Sequence, residues 1–340
     1  LYILNTIQIN KLLQHIEKNG ALLSYLELQI IAGFDSKLIN NLLPFIKIKT
    51  RITKEQRLKN IKQYILVREQ LITQQQKGYR KINNDTHYKG NNSKYYLKYR
   101  LQNNFIQAGI TAEKDAGEYF FKEKNALGFD FYSAHLQLKD LGIIKKIIIG
   151  DYQLVFGQGL VMQSGINFGK SSEVINIEKN GNLIKAHTST AENLFFRGMV
   201  SKVNINKWLE VVPFISYNST DANILDSLTS KELVYSTLIT NGLHRSNSEM
   251  ESKNTINQMH YGIHAQVKYH KLYLGSTYYI TEINGINSAT ITPANQFEWQ
   301  DNKNVNFGID YQYFIRNINL FGEIGKSKNG GLAYLSGILI

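Results

Sequence analysis

Beyond residue 60 the chain reads with a period of two. Tyr95, Leu97, Tyr99 and Leu101 alternate with Tyr96, Lys98, Arg100 and Gln102. Ile106, Ala108, Ile110 and Ala112 alternate with Gln107, Gly109, Thr111 and Glu113, and Tyr132, Ala134, Leu136 and Leu138 with Ser133, His135, Gln137 and Lys139. The pattern returns at Tyr261–Tyr269 and at Val305–Tyr313. Successive strand side chains point to opposite faces, so this spacing predicts strands with one apolar and one polar face. Segments near 61–74, 143–156, 195–205, 208–218, 272–284, 318–327 and 332–340 fit the alternation less cleanly and bring the predicted strands to about twelve.

Residues 1–50 follow a helical spacing instead. Ile7, Ile9, Leu12, Leu13 and Ile16 give a roughly helical spacing, and Asn19-Gly20 stops that helix. Ser24 and Glu27 read as a capping box opening a second helix, which breaks at Gly33-Phe34-Asp35. A third helix runs from about Ser36 to Leu43 and ends at Pro44. The reading gives a helical domain over 1–50, a charged linker over 51–60 and a β domain over 61–340.

Connection lengths decide what kind of β domain this is. Very short turns at 102–104, 140–142, 204–207, 269–271 and 316–317 alternate with long polar loops at 75–92, 115–128, 157–194, 219–256 and 285–303. Short turns at one end and long loops at the other are the signature of an antiparallel transmembrane β-barrel. A soluble sandwich mixes its loop lengths. The fold class is therefore mainly β, a barrel preceded by a small α-helical domain. If the short turns are periplasmic, the first strand rises from the periplasm and the helical domain lies there, in a protein of the bacterial outer membrane. The chain starts at Leu1 within a helical motif and ends at Ile340 on a short strand. The expectation is a fragment, with strands of the barrel missing.

Composition adds less. No stretch approaches 18 apolar residues, the length a membrane-crossing helix needs, but barrel strands escape that criterion. The 21 Tyr and 16 Phe against three Pro suit aromatic-rich strands. The absence of cysteine removes disulfides and thiolate chemistry. A net charge of +12 favours anionic partners, although abundant Lys and Asn also fit an A/T-rich genome.

Several runs resemble a known group. Glu27-Leu28-Gln29, Ala32-Gly33-Phe34-Asp35 and Leu42-Leu43-Pro44-Phe45 resemble the helix–hairpin–helix repeats of ComEA-like proteins. The runs 111–118, 128–133 and 150–160, and then Phe168-Gly169-Lys170, are similar to large outer-membrane proteins of Bacteroidota that carry such repeats before a barrel. The resemblance implies an outer-membrane barrel with periplasmic hairpins and a poorly defined role.

Candidate sites are few. A DNA-binding hairpin uses two glycines so that backbone N–H groups reach a phosphate. Here Gly33 stands at the first position, but Asp35 replaces the second and suits a helix cap better. Gly33, Phe34, Asp35, Lys37, Lys47, Lys49 and Arg51 are the residues that would meet DNA or a protein partner. Lys98, Arg100, Glu113, His135, His260, His264 and Lys268 fall on the polar, lumen-facing side. His135 and Glu113 lie close enough in sequence register to pair across a pore. His260 and His264 stand about 13 Å apart along a strand, too far to share a metal. Gly157-Gln158-Gly159 has no following helix, so a loop folded back into the barrel mouth is expected rather than a phosphate site. No spacing assembles a catalytic triad, and neither an enzyme nor a cofactor is expected. The functions in view are a binding or assembly component with a protein partner, DNA uptake through the hairpins, and a porin-like channel.

Overall fold

The computed structural model describes residues 4, 6–19, 22, 24–46, 60–80, 86–165, 177–179, 183–225, 233–293, 295–296, 298–315 and 318–340. The chain divides into two compact units, Leu1–Lys59 and Asn60–Ile340.

In the first unit, α1 (Thr6–Asn19) is followed by a 3-10 turn at Tyr25–Ile30, then α2 (Ser36–Leu42) and a 3-10 turn at Leu43–Phe45 that holds Pro44 in its first turn. Leu28, Ile31, Phe34, Ile39 and Leu42 form its buried core, with Leu4, Leu12, Leu22, Leu38 and Ile46 packed around them. The predicted second helix is a 3-10 turn instead. The Ser24 hydroxyl accepts from the Leu26 N–H at 3.2 Å rather than from the third helical residue, so the chain tightens before an α-turn forms.

The second unit is mainly β. It contains β1 (Lys62–Leu71), β2 (Ser93–Gln102), β3 (Ile106–Lys114), β4 (Phe131–Leu141), β5 (Ile144–Val155), β6 (Leu183–Ala186), β7 (Phe196–Asn204) and β8 (Leu209–Leu225). These are followed by β9 (Leu233–Ile239), a short α3 (Asn247–Glu251), β10 (Ile256–Tyr269), β11 (Leu272–Ile283), β12 (Gly285–Asn287), β13 (Lys303–Ile315), β14 (Ile318–Ser327) and β15 (Leu332–Leu339). Twelve strands run in the order β1-β2-β3-β4-β5-β7-β8-β10-β11-β13-β14-β15, each antiparallel to its neighbour. This is the wall of an antiparallel barrel. Among the described residues β1 and β15 are its two edges. No described helix is long and apolar enough to cross a membrane.

The short turns are built by local chemistry. Asn103 Oδ1 accepts from the N–H groups of Phe105 and Ile106, both at 2.8 Å. Asn206 Oδ1 accepts in the same way from Trp208 and Leu209. These side chains close the hairpin where the backbone would otherwise need more residues. The long connections are not plain loops. β6 pairs with the upper part of β5, and β9 pairs with the end of β8 and in parallel with β12. The alternation of connection lengths also stops at the last hairpin, where only Lys328–Gly331 joins β14 to β15.

The two faces of the wall differ sharply. Leu136, Ile149, Met199 and Ile215 stand directly opposite one another across β4, β5, β7 and β8, and all are between 40% and 49% exposed. Ile110, Ile263, Tyr278, Phe307, Ile309 and Ile324 continue this bare apolar surface around the wall. The intervening residues are buried: Ser133, His135 and Gln137 on β4, His260 and His264 on β10, and Asp310 and Glu323 on β13 and β14. The inner face therefore carries the polar groups, but the interior is not uniformly polar. Ile148, Tyr152, Leu154, Phe156, Met162, Ile184, Phe196, Val200, Val212 and Phe214 form an apolar cluster inside the wall.

Candidate functional site

The interior is organised by the segment that follows β5. At Gly157 and Gly159 the backbone takes positive φ values of 53° and 75°, a region open to glycine at little cost. The chain turns there into the barrel and returns through Gln163, which bridges back to Val155. Phe156 is fully buried and its ring stacks on that of His264 with centroids 4.4 Å apart. Val161 fits against Gly308 and Gly325, where an added Cβ would come within 2.6 Å of its Cγ2.

One carboxylate holds this inward turn. Glu323 on β14 is 4% exposed and accepts three backbone N–H groups, from Gln158 at 2.7 Å, Leu160 at 3.0 Å and Val161 at 2.9 Å. Backbone donors converging on an ionised acceptor give charge-assisted bonds, each worth about 1.5–3 kcal/mol net. A buried carboxylate needs such compensation, and an inward loop needs partners for its N–H groups. Each solves the other's problem.

A second construction lies at the long-loop end. His244 bridges Asp130 and Asp221, with Nδ1 at 2.5 Å and Nε2 at 2.8 Å from their carboxylates. Lys253 donates to Asp130 at 2.7 Å, and Asn254 donates its N–H to Asp221 at 2.8 Å. Glu118 accepts the N–H groups of His244 and Asp115. Burial opposes charge on His244, but the bonds to Asp130 and Asp221 outweigh it and push its pKa up to about 10. Burial also works against the Asp130 carboxylate, yet His244 and Lys253 hold its pKa below the ordinary value. Burial and the charge of Asp130 push Glu118 up to about 7 and Glu192 up to about 8. His244 is thus an imidazolium that ties together the β3–β4 connection, the end of β8 and the segment before β10.

Ligand atoms of Glu118, Asp130 and His244 come within 4.8 Å of one another, a spacing that could hold a metal ion. Every one of those residues is already committed to the protein's own donors and acceptors, so the arrangement is a structural ionic knot. Beside it, Asp130, Glu192, Phe195, Arg197, Asp221 and His244 line a pocket of about 190 Å³.

The residues singled out from sequence fall in several places. In the helical unit, Gly33 adopts φ 95° and its carbonyl accepts from Gln8 Nε2 at 3.0 Å. Phe34 is 5% exposed and belongs to the core rather than to a contact surface. Asp35 caps α2 by accepting from the Leu38 N–H at 2.7 Å. Lys37 is exposed on α2, while Lys47, Lys49 and Arg51 lie outside the described residues.

On the wall, Lys98 is half-buried and donates to the Thr188 carbonyl at 2.7 Å, and Arg100 is half-buried beside it on β2. Glu113 and His135 do not pair. Glu113 stands opposite Phe131 and His135 opposite Gly109, four residues further along each strand, and Glu113 takes Lys94 at 2.8 Å instead. His260 contacts Gln258, Thr281 and Tyr279, whereas His264 lies beneath Phe156 within reach of Thr277. Neither histidine faces open lumen. Lys268 is exposed near a short turn with its ammonium 5.2 Å from the Tyr273 ring centroid.

Glu323, Asp310, Asp130, Asp221 and His244 were not singled out from sequence. The only local signal was a carboxylate inside a strand otherwise apolar and glycine-rich, Leu320-Phe321-Gly322-Glu323-Ile324-Gly325.

No family model matches the chain, and no curated protein does. Among solved structures it is similar to a porin at 9% identity, covering 72% of this chain and 60% of that one, with a TM-score of 0.35. The outer membrane channel DcaP of Acinetobacter baumannii is 11% identical over 81% of this chain and 69% of its own, with a TM-score of 0.31. A loop L8 deletion mutant of OmpT from Vibrio cholerae is 10% identical, covering 82% of this chain and 86% of that one, with a TM-score of 0.29. The chain spans less than two thirds of the length of the first of these.

Proposed function

We propose that this chain is an outer-membrane β-barrel with a closed lumen, serving as an anchored binding or assembly component of the bacterial envelope. The observation that carries the closed lumen is the Glu323 clamp on the inward turn at 158–161. The apolar cluster around Phe156 and Tyr152 fills the space behind it. The bare aliphatic surface at Leu136, Ile149, Met199 and Ile215 supports a lipid-facing wall, because water on that surface would cost about 25 cal/mol for each Å² of apolar area.

In this reading the helical unit lies in the periplasm, as the resemblance to Bacteroidota proteins with helix–hairpin–helix repeats implies, and meets a protein partner without catalysing a reaction. DNA uptake through the hairpin is disfavoured by the residues themselves: Asp35 is committed to its helix and Phe34 to the core. A porin-like channel would need the inward turn to leave the lumen.

Two measurements on the full chain test the proposal. Reconstituted in planar bilayers, it should give no steady open-channel conductance. Purified from native outer membranes after mild cross-linking, it should bring down a stoichiometric protein partner. Stable ohmic conductance and isolation without a partner would replace this reading with the channel.

A further inference from the structure

Near the short-turn end, the inner face of the wall carries three lysines in one line. Lys139 on β4 stands directly opposite Lys146 on β5, and Lys146 directly opposite Lys202 on β7. All three share the inward parity of Gln137, Ile148 and Val200. A register shift in β5 between Ile144 and Lys146 places Lys146 in that line by absorbing one extra residue. Neighbouring strands lie about 4.8 Å apart, so three ammonium groups on flexible stems can converge on one small ligand.

Like charges directly opposite one another on a sheet repel, and this line contains two such pairs. The compensation is incomplete. Lys202 has Glu210 at 2.6 Å, while Lys146 donates to the Ile184 carbonyl at 2.8 Å. On the elements packed against the line, Glu210 on β8 is the acid that reaches it among the described residues. Asp140, next along β4, is exposed where the chain turns, with φ 54°. Three cations against one carboxylate leave two positive charges on a partly buried inner surface. Behind them, Ile148, Val200 and Val212 are fully buried, which closes the way further in.

We propose that Lys139, Lys146 and Lys202 form a binding site for a small doubly charged oxyanion, of the phosphate class, entering from the short-turn end. Two uncompensated charges match a dianion. The inward direction excludes bilayer lipid as the source. The site rests on the strand register and not on the closed lumen, so each can fail without the other.

The test uses the purified full chain in detergent with inorganic phosphate as probe and chloride at matched ionic strength as control. Phosphate should raise the unfolding midpoint saturably, and chloride should not. Lys146→Gln should weaken phosphate binding at least tenfold while the folded, heat-modifiable form persists on gels. Lys139→Gln carries a second readout. In phosphate-free buffer it should unfold at a higher temperature than the parent, because one repulsion is gone, and saturating phosphate should reverse that order. Equal effects of phosphate and chloride, or parental phosphate affinity in both variants, would overturn the proposal. If Lys146→Gln does not fold, Lys139→Gln alone decides.

Discussion

The backbone N–H of Gln158 lies 2.7 Å from the carboxylate of Glu323, a residue 165 positions further along the chain. That single acceptor also serves Leu160 and Val161, so three donors of the inward turn converge on one side chain from β14. Replacing Glu323 with glutamine keeps the shape but removes the charge and one accepting oxygen. Three charge-assisted bonds become neutral or are lost, a cost of about 2–4 kcal/mol by the usual difference between the two kinds. Glu323→Gln should therefore convert a silent protein into one that shows flickering conductance in planar bilayers. A variant as silent as the parent would mean that the apolar cluster alone keeps the turn in place.

The ionic knot makes a different prediction. Removing the His244 ring leaves Asp130 and Asp221 facing each other's side of a buried site with one less cation. Breaking a buried charge pair from one side costs about 3–5 kcal/mol. His244→Ala should expose the connections at 115–130 and 240–255 to protease while the strands stay protected. Hydrogen exchange measured by mass spectrometry over those peptides would show it, and unchanged protection there would count against the knot.

The knot also sets a pH dependence. His244 is pushed up to about 10 from an ordinary value near 6.5, so its contribution is complete below pH 6.5 and fades as pH rises through 10. Glu118 and Glu192, raised to about 7 and about 8, act in the same direction, since each favours the folded state most when protonated. Asp130 runs the other way and loses its contribution only in strong acid, below its ordinary range. Protection of the long-loop end should thus be greatest near pH 5 and decline steadily toward pH 10. A flat profile between pH 6 and 10 would contradict the assignment of His244 as an imidazolium.

Much of the wall could be read from the chain because a two-residue period is a local signal. Tyr95–Gln102 and Tyr261–Tyr269 announce their faces without reference to any partner. Five wall strands show that period cleanly and seven more follow it less cleanly, while the five short turns pair β2 with β3, β4 with β5, β7 with β8, β10 with β11 and β13 with β14. The strands β6, β9 and β12 could not be read, since Leu183–Ala186 and Gly285–Asn287 are too short to show a period and exist only through pairing with distant segments. The sites are less legible still. Glu323 meets its donors across 162 to 165 positions, and His244 meets Asp130 across 114. Nothing near either residue in sequence signals those partners. Ser24 and Glu27 show the opposite failure: a local motif was present, but the hydroxyl closed a tighter turn than the motif implies.

In the helical unit the cap on α2 offers a simple check. Asp35 accepts from the Leu38 N–H at 2.7 Å, and loss of such a cap costs about 0.5–2 kcal/mol. Asp35→Ala should lower the unfolding midpoint of the helical signal in circular dichroism, and Asp35→Asn should restore most of it. The same pair of variants should leave the β signal untouched. A β signal that shifted in step would show that the two units unfold together.

The bare face gives the sharpest test of where the protein resides. Ile149 and Ile215 sit mid-strand, 49% and 42% exposed, in line with Leu136 and Met199. If this surface faces water, an arginine there relieves an apolar patch and should be neutral or stabilising. If it faces hydrocarbon, the same substitution costs about 2–4 kcal/mol near the bilayer midplane and falls to about 0–1 near the interface. Ile215→Arg should therefore impair folding into lipid vesicles, while Trp208→Arg, in the short turn below it, should fold nearly as well as the parent. The contrast between the two positions matters more than either value, because a general loss of stability would affect both. Only a lipid-facing wall makes the penalty depend on depth.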